Sequence, residues 1–325
     1  MIRKPEKEEA AMGLMARWDE VPDSTPIAKE DLKGGEISTK RLYGLDSSIT
    51  VAMRSAGYHS RPHIHNCEQL NYLAEGELWV FVEEKGYLLR QGDYFRVPQG
   101  AAHWAWNRGE TRSVLIESHS PPLIGKPSVR AKSVGLFHQN EHGVPRAMPQ
   151  TIFLSDDVAK AVEARSVNGD GEPSRSLLAR GDEVPSGRQL VNVLGGGMST
   201  YFVYGNDGNL MVATRVAGYH SRPHVHDCEQ LNYLQSGELW VFVEDELYEL
   251  KAGDFLRIPT MAVHWAWNRG QQPSVLVEVH IPCLDPYRRQ GATGLFGPSE
   301  TPDLRTPART IMVADEYMKV EARYL

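Results

Sequence analysis

The sequence predicts an all-β protein built as two tandem jelly-roll barrels with short peripheral helices, and three observations carry that prediction. First, GYHSRPHIHNCEQLNYLAEGELWVFVE at 57–83 returns at 218–244, and 23 of the 28 positions from 57–84 are identical in 218–245. Second, the same 161-residue offset carries QGDYFRVPQGAAHWAWNRG at 91–109 onto AGDFLRIPTMAVHWAWNRG at 252–270. Third, the apolar residues come as short or alternating runs such as ITVAMRSAG, QLNYLA and GELWVFVE, cut by Gly, Pro and acidic turns. That is the punctuation of many short strands, not of helices or a parallel sheet. One unit is written twice.

The elements follow in chain order. Residues 1 to about 35 are polar, with Pro5, Pro22, Pro26 and Gly34-Gly35, and read as a tail and a lead-in to the first barrel. The first barrel core spans about 36–125 within a unit of 1–165, and the second about 197–286 within 166–325. VLIESH at 114–119 and VLVEVH at 275–280 add a late strand to each. The stretches TIFLSDDVAKAVEARS at 151–166 and TIMVADEYMKVEARY at 310–324 are the convincing helical segments, each expected outside its own sheet. Residues 155–198, rich in Gly, Ser and charge, supply the connection and a second lead-in, in which GDEVP at 181–185 echoes Asp19 to Pro22.

Composition narrows the function. With 35 basic against 42 acidic residues the net charge is -7, and no Lys/Arg run long enough to follow a phosphate backbone occurs, so no nucleic acid is expected as a partner. No apolar run approaches a membrane span and the N-terminal residues are charged, which predicts no membrane association and a cytoplasmic protein. The three cysteines include Cys67 and Cys228 at equivalent positions of the two units, which argues against a disulfide framework. The remaining partner class is a small-molecule substrate.

Residues i and i+2 of a strand point to one face, so His63 and His65 present both imidazoles together, with Cys67, Gln69 and Asn71 of the same parity. His103 arrives from a later strand, and three imidazoles with one amide oxygen reach a divalent transition metal at roughly 2.0–2.2 Å. His224, His226, Gln230 and His264 repeat the set, so one divalent transition metal per unit is expected, with Fe, Mn, Co, Ni and Zn all compatible with these donors.

The motifs that hold these residues resemble the cupin superfamily. The first cupin motif is met by Gly57, His63, His65, Gln69 and Gly76, and again by Gly218, His224, His226, Gln230 and Gly237. The second is met by Gly92, Pro98, Gly100, His103 and Asn107, and by Gly253, Pro259, His264 and Asn268, with Met261 in place of the second glycine. Finding both motifs twice makes the chain similar to a bicupin, a class whose copies commonly pair through sheet edges into homo-oligomers. The departure is glutamine in the usual glutamate slot, with Glu68 and Glu229 sent to the opposite strand face. Cupins resembling it in that respect carry out mostly non-redox chemistry on small polar molecules, as isomerases, lyases or hydratases. Four neutral ligands leave the metal charge uncompensated, which strengthens it as a Lewis acid. All-histidine cupin dioxygenases keep a non-haem Fe(II) dioxygenase of enol, diketone or phenolic substrates open as the alternative, and a non-catalytic metal-dependent binding protein is the third reading.

Around the ligands, His59 and His220 share lumen parity and titrate near neutrality, which makes them candidate acids or bases, or else turn residues at the barrel mouth. Arg61 and Arg222 are candidate anchors for a substrate carboxylate unless Pro62 and Pro223 redirect the chain. Cys67 and Cys228 read as an extra soft ligand or as small buried fillers. Trp104, Trp106, Trp265 and Trp267 line the pocket or pack between sheets, and Tyr72, Tyr233, Asn71 and Asn232 orient ligands or fill the core. His119 and His280, with Glu117 and Glu278, supply a base or lie at a surface.

Overall fold

The computed structural model describes residues 13–23, 32–124, 133–138, 140–166, 176–189 and 193–325. The predicted tail before Gly13, part of the first lead-in and the middle of the connection lie outside the described residues. Each half folds as two facing sheets. In the first half one sheet runs, in hydrogen-bonded order, Ser133–Gly135, Ile37–Tyr43, Ser48–Arg54, Ser113–Ser120, Glu68–Glu75, Tyr94–Val97. The facing sheet holds Thr151–Phe153, His63–His65, His103–Trp106, His59–Ser60 and Leu32–Gly34, with Glu77–Val82 also paired to His103–Trp106. The second half repeats both sheets around Glu229–Ser236 and His264–Trp267.

Alternation along the strands builds two cores at once. Inward residues such as Leu73, Leu115, Phe95 and Val80 fill the first barrel, and Leu234, Leu276, Leu256 and Val241 the second. Outward residues of the two long sheets meet each other: Leu42, Val51, Leu70 and Ile116 share one buried cluster with Val203, Val212, Leu231 and Val277. The barrels therefore stand back to back on a continuous apolar layer. Tyr72 and Tyr233 pack against this layer, away from the lumen.

The lead-ins cross over. Met15–Ala16 pairs with Phe255 and Leu256 of the second barrel, while Leu178–Ala179 pairs with Tyr94 and Phe95 of the first. Arg180 Nη1 then reaches Asp93 at 2.6 Å, and Arg17 ion-pairs Asp254 in the matching place. Glu68 and Glu229, expected on the face away from the ligands, are the second crossed contact. The Glu68 carboxylate accepts the amides of Asn206 and Asp207, both at 2.9 Å, and pairs Arg96 at 2.5 Å. Glu229 accepts Leu45 N at 2.8 Å and Asp46 N at 2.9 Å and pairs Arg257 at 2.6 Å. A Cβ on Gly44 or Gly205 would sit 2.4 or 2.5 Å from these carboxylates, so the turns need glycine to accept the glutamate.

The helical expectations need correction. Thr151–Phe153 and Thr310–Met312 are strands on the edges of His63–His65 and His224–His226, because β-branched and aromatic residues there find an open ladder to complete. The helix begins only at Asp157, after Ser155 Oγ accepts Asp157 N at 3.3 Å, and ends at Ser166. Its counterpart, Asp315–Arg323, is 3₁₀. Both pack outside their barrels: Ala159 and Val162 cover Phe81 and Trp104, and Val320 covers Phe242 and Trp265. No described helix is long and apolar enough to cross a membrane.

Candidate metal centre

His63 and His103 are direct cross-strand partners, as are His224 and His264. His65 and His226 follow two residues on, so three rings meet in each lumen with centroids 4.2–4.9 Å apart in the first barrel and 4.3–5.0 Å in the second. One donor nitrogen from each ring lies within 4.8 Å of the others in both sets. Burial pushes all six imidazoles below their ordinary pKa, which keeps them neutral and able to donate a lone pair.

Hydrogen bonds select which nitrogen is free. His63 Nδ1–H donates to Arg61 O at 2.8 Å and His103 Nδ1–H to Ala101 O at 3.0 Å. His224 and His264 do the same with Arg222 O and Ala262 O. Nδ1 of His65 and of His226 meets Thr151 Oγ1 at 3.0 Å and Thr310 Oγ1 at 3.1 Å, the threonines being the residues paired opposite in the added strands. Nε2 of every ring is left facing the lumen, and His264 Nε2 is buried with no partner among the described residues.

The fourth donor comes from the opposite sheet. Gln69 Nε2 donates to Asn71 Oδ1 at 2.7 Å and Gln230 Nε2 to Asn232 Oδ1 at 2.8 Å. Each asparagine is itself held by a backbone carbonyl, of Phe95 or Leu256, at 3.2 Å. The amides are thereby turned so that Gln69 Oε1 and Gln230 Oε1 are buried without a partner among the described residues, a costly arrangement unless a cation accepts the lone pair. Three Nε2 atoms and one amide oxygen fit a divalent transition metal.

Beyond the donors, the long sheet presents two inward rungs. One carries Gln69, His119 and Ser48, the other Asn71, Glu117, Thr50 and Arg41. Arg54 reaches back to ion-pair Glu117, and Arg215 pairs Glu278 at 2.7 Å. Burial works to raise the Glu117 pKa, but Arg54, His119 and Arg41 outweigh it and hold the carboxyl ionised. His119 is fully buried against His65, and burial pushes its pKa down to about 4. A cavity of about 60 Å³ in the second barrel is lined by the cluster together with Arg215, Glu278, His280 and Arg289.

The other singled-out residues fall elsewhere. His59 and His220 do not enter the lumen: they lie on the outer face, stacked on Trp106 and Trp267 at 4.4 Å, with Nε2 on Glu163 and Glu321 of the peripheral helices. Arg61 and Arg222 pair Asp156 and Asp315, also on the outside. Pro62 and Pro223 break the strand there, so the parity counted back from His63 fails, and Ser221, not His220, lines the second cavity. Trp104 and Trp265 pack beneath the helices, and Trp265 also lines the second cavity. Cys67 and Cys228 are buried fillers, the Cys67 thiol pushed up to about 12 by burial. The sequence reading missed Thr151, Thr310, Arg54, Arg215, Arg41 and Arg289. The repeated Arg54 and Arg215, both in strands, and the repeated Thr151 and Thr310, each heading a TI stretch, carried a signal that could have found them, whereas Arg41 and Arg289 have no such counterpart.

Comparison with known proteins agrees with this geometry. Residues 50–119 and 211–280 match the cupin domain family. Quercetin 2,3-dioxygenase of Bacillus subtilis (strain 168) is 24% identical over 247 residues, covering 70% of this chain and 71% of that one. Among solved structures, oxalate decarboxylase of Lactobacillus farciminis superposes with a TM-score of 0.58 over 84% of this chain and 87% of its own, at 14% identity. AerE of Microcystis aeruginosa gives 0.54 over 80% and 97%, also at 14% identity. At that identity these structures bear on the fold alone.

Proposed function

The chain is a bicupin, with one cupin domain in each half, and from that premise we propose that it is a metal-dependent enzyme acting on a small polar organic molecule by Lewis-acid and proton-transfer chemistry, of isomerase, lyase or hydratase type. His63, His65, Gln69 and His103 would hold one divalent metal, and His224, His226, Gln230 and His264 another. The observation that carries this reading is the pair of buried glutamine oxygens, each turned by an asparagine into a ring of three free imidazole Nε2 atoms. Bound there, the metal supplies polarisation of a substrate oxygen or acidification of water.

The chain's own groups supply the rest. Asn209 Oδ1 accepts Leu284 N at 2.9 Å, which fixes its amide so that Nδ2 donates to His280 Nδ1 at 3.0 Å. The ring proton of His280 therefore sits on Nε2, which is buried, has no hydrogen-bond partner among the described residues, and lies 3.9 Å from Glu278 Oε2. His280 can hydrogen-bond a substrate oxygen through that N–H, and Glu278, held by Arg215 and by Gln230 Nε2 at 3.1 Å, can accept a proton. Apolar walls from Met198, Val241 and Leu276 keep bulk water from the exchange.

The second reading, a dioxygenase, is favoured by the Bacillus subtilis relative, whose match runs through both halves. Elemental analysis of anaerobically purified protein, followed by oxygen-electrode and NMR assays on keto acids, sugar acids, phenols and diketones, tests both. Conversion without oxygen uptake supports the first reading. Uptake stoichiometric with substrate transfers the assignment to the second, and protein that cannot be loaded with any divalent metal overturns both.

A further inference from the structure

Each barrel holds more positive charge and more hydrogen-bond donors beside its histidine cluster than its own carboxylate satisfies. In the second barrel Glu278 is taken by Arg215, which also interacts with Tyr219, its guanidinium 5.4 Å from that ring, while Nε and Nη1 are buried without a close hydrogen-bond partner among the described residues. Arg289 lines the same cavity and makes no ion pair among them; its guanidinium lies 4.7 Å over the Phe202 ring, with Nη1 at 3.1 Å from Met211 Sδ. The first barrel repeats the imbalance by other means. Glu117 is taken by Arg54, which also interacts with Tyr58 and whose Nε and Nη1 are buried without a close hydrogen-bond partner among the described residues, while Arg41 Nε donates to Thr50 Oγ1 at 3.0 Å and has no ion-pair partner among them.

Arg41, Thr50 and Glu117 lie on one inward rung, and the equivalent rung reads Phe202, Met211 and Glu278. Where the second copy has lost the rung arginine, Arg289 comes in over the phenylalanine that replaced it. A guanidinium stays charged on burial, whereas the neighbouring imidazoles and amide are neutral. Each site thus carries one cation beyond its carboxylate among the described residues. Unmatched buried cations and donors are costly unless an anion completes them.

We infer that each site takes a substrate bearing a carboxylate, bound by Arg41 in the first barrel and Arg289 in the second, with the orphaned N–H groups of Arg54 and Arg215 completing its oxygens. The planar fork of a guanidinium matches the two oxygens of a carboxylate. The cavity of about 60 Å³ in the second barrel admits only a few heavy atoms, which makes the acid bound there a short one. The proposal rests on the metal-enzyme reading only for placing the reacting end of the substrate at the cluster.

The test is calorimetric titration of metal-loaded and metal-free protein with oxalate, and with acetate against its neutral isostere acetamide, alongside separate measurement of metal content. Acetate is expected to bind at least about tenfold more tightly than acetamide. Arg41→Met and Arg289→Met should each weaken one of two oxalate sites by at least about tenfold at unchanged metal content, and Arg→Lys should recover part of the loss. Equal binding of acetate and acetamide, or full oxalate binding in both Met variants, overturns the inference and leaves the metal reading standing. Loss in one variant alone overturns the assignment for the other barrel. Carboxylate binding by a protein that takes no metal would keep this inference and sink the metal reading. Should the Met variants not fold, the acetate and acetamide comparison on the wild-type chain decides the matter.

Discussion

The two barrels share their metal donors and differ in what faces them. His63, His65, Gln69 and His103 are matched one for one, with the same backbone and threonine partners, by His224, His226, Gln230 and His264. The rungs beside them have diverged: Arg41 and Thr50 against Phe202 and Met211, and Ser48 against Asn209. Gly100 and Met261 differ at the turn before the last ligand, yet both keep left-handed φ, 76° and 65°, and both donate to His65 O or His226 O at 2.8 Å. Duplication has preserved what a metal demands and let the lining of the lumen drift. The two clusters are equivalent in their candidate donors and inequivalent in the residues that line the lumen beside them.

The first way to break that comparison is to remove a ligand from either side. His63→Ala and His224→Ala should each lower metal content by about half, from about two equivalents per chain to about one, because each deletes one of four donors. Loss of both metals, or of neither, in either variant would show that the sites are not independent equals.

The crossed glutamates test whether the barrels support each other symmetrically. Glu68→Ala leaves the amides of Asn206 and Asp207 unpaired and takes one of two carboxylates from Arg96, which keeps Glu300 at 2.8 Å, and Glu229→Ala does the same to the turn at Leu45 and to Arg257, which keeps Glu141. Each is expected to cost about 2–4 kcal/mol in chemical denaturation, from the orphaned amides, with the arginine still neutralised by its remaining carboxylate. A large cost for one and a small cost for the other would mean that one barrel carries the interface.

Smaller effects sharpen the contrast within the lumen. Asn209→Ser imposes the first barrel's residue on the second and removes the partner of His280 Nδ1, with an expected loss of about 1–3 kcal/mol by denaturant titration. The reciprocal Ser48→Asn should not produce an equal gain, because Ser48 Oγ already accepts Leu123 N at 3.0 Å. Met261→Gly relieves a left-handed backbone at an exposed position and should stabilise by about 1 kcal/mol, while Gly100→Met should destabilise by about 1–2 kcal/mol. Equal and opposite thermal shifts in these two variants are the measurement to seek.

The sequence by itself determined the repeat, the all-β class and the eight candidate donors. Those features depend on spacing within single strands and turns, where a period of two residues fixes which side chains share a face. It read Gln69 over Glu68 for the same reason, and the structure gives both residues buried partners on opposite faces. The same rule failed at His59 and Arg61 because Pro62 interrupts the strand between them and His63. Only the tertiary structure decided that Thr151 would hold His65, that Glu117 would meet Arg54 and lie on a rung with Arg41, and that Arg289 would lie over Phe202. It also exchanged the lead-ins and drove Glu68 and Glu229 into the opposite barrel. These placements depend on register between strands far apart in the chain and on the apolar layer that sets the barrels back to back. Neither leaves a periodic trace in the sequence, because the free energy that selects them belongs to packing across the whole molecule and to no single segment.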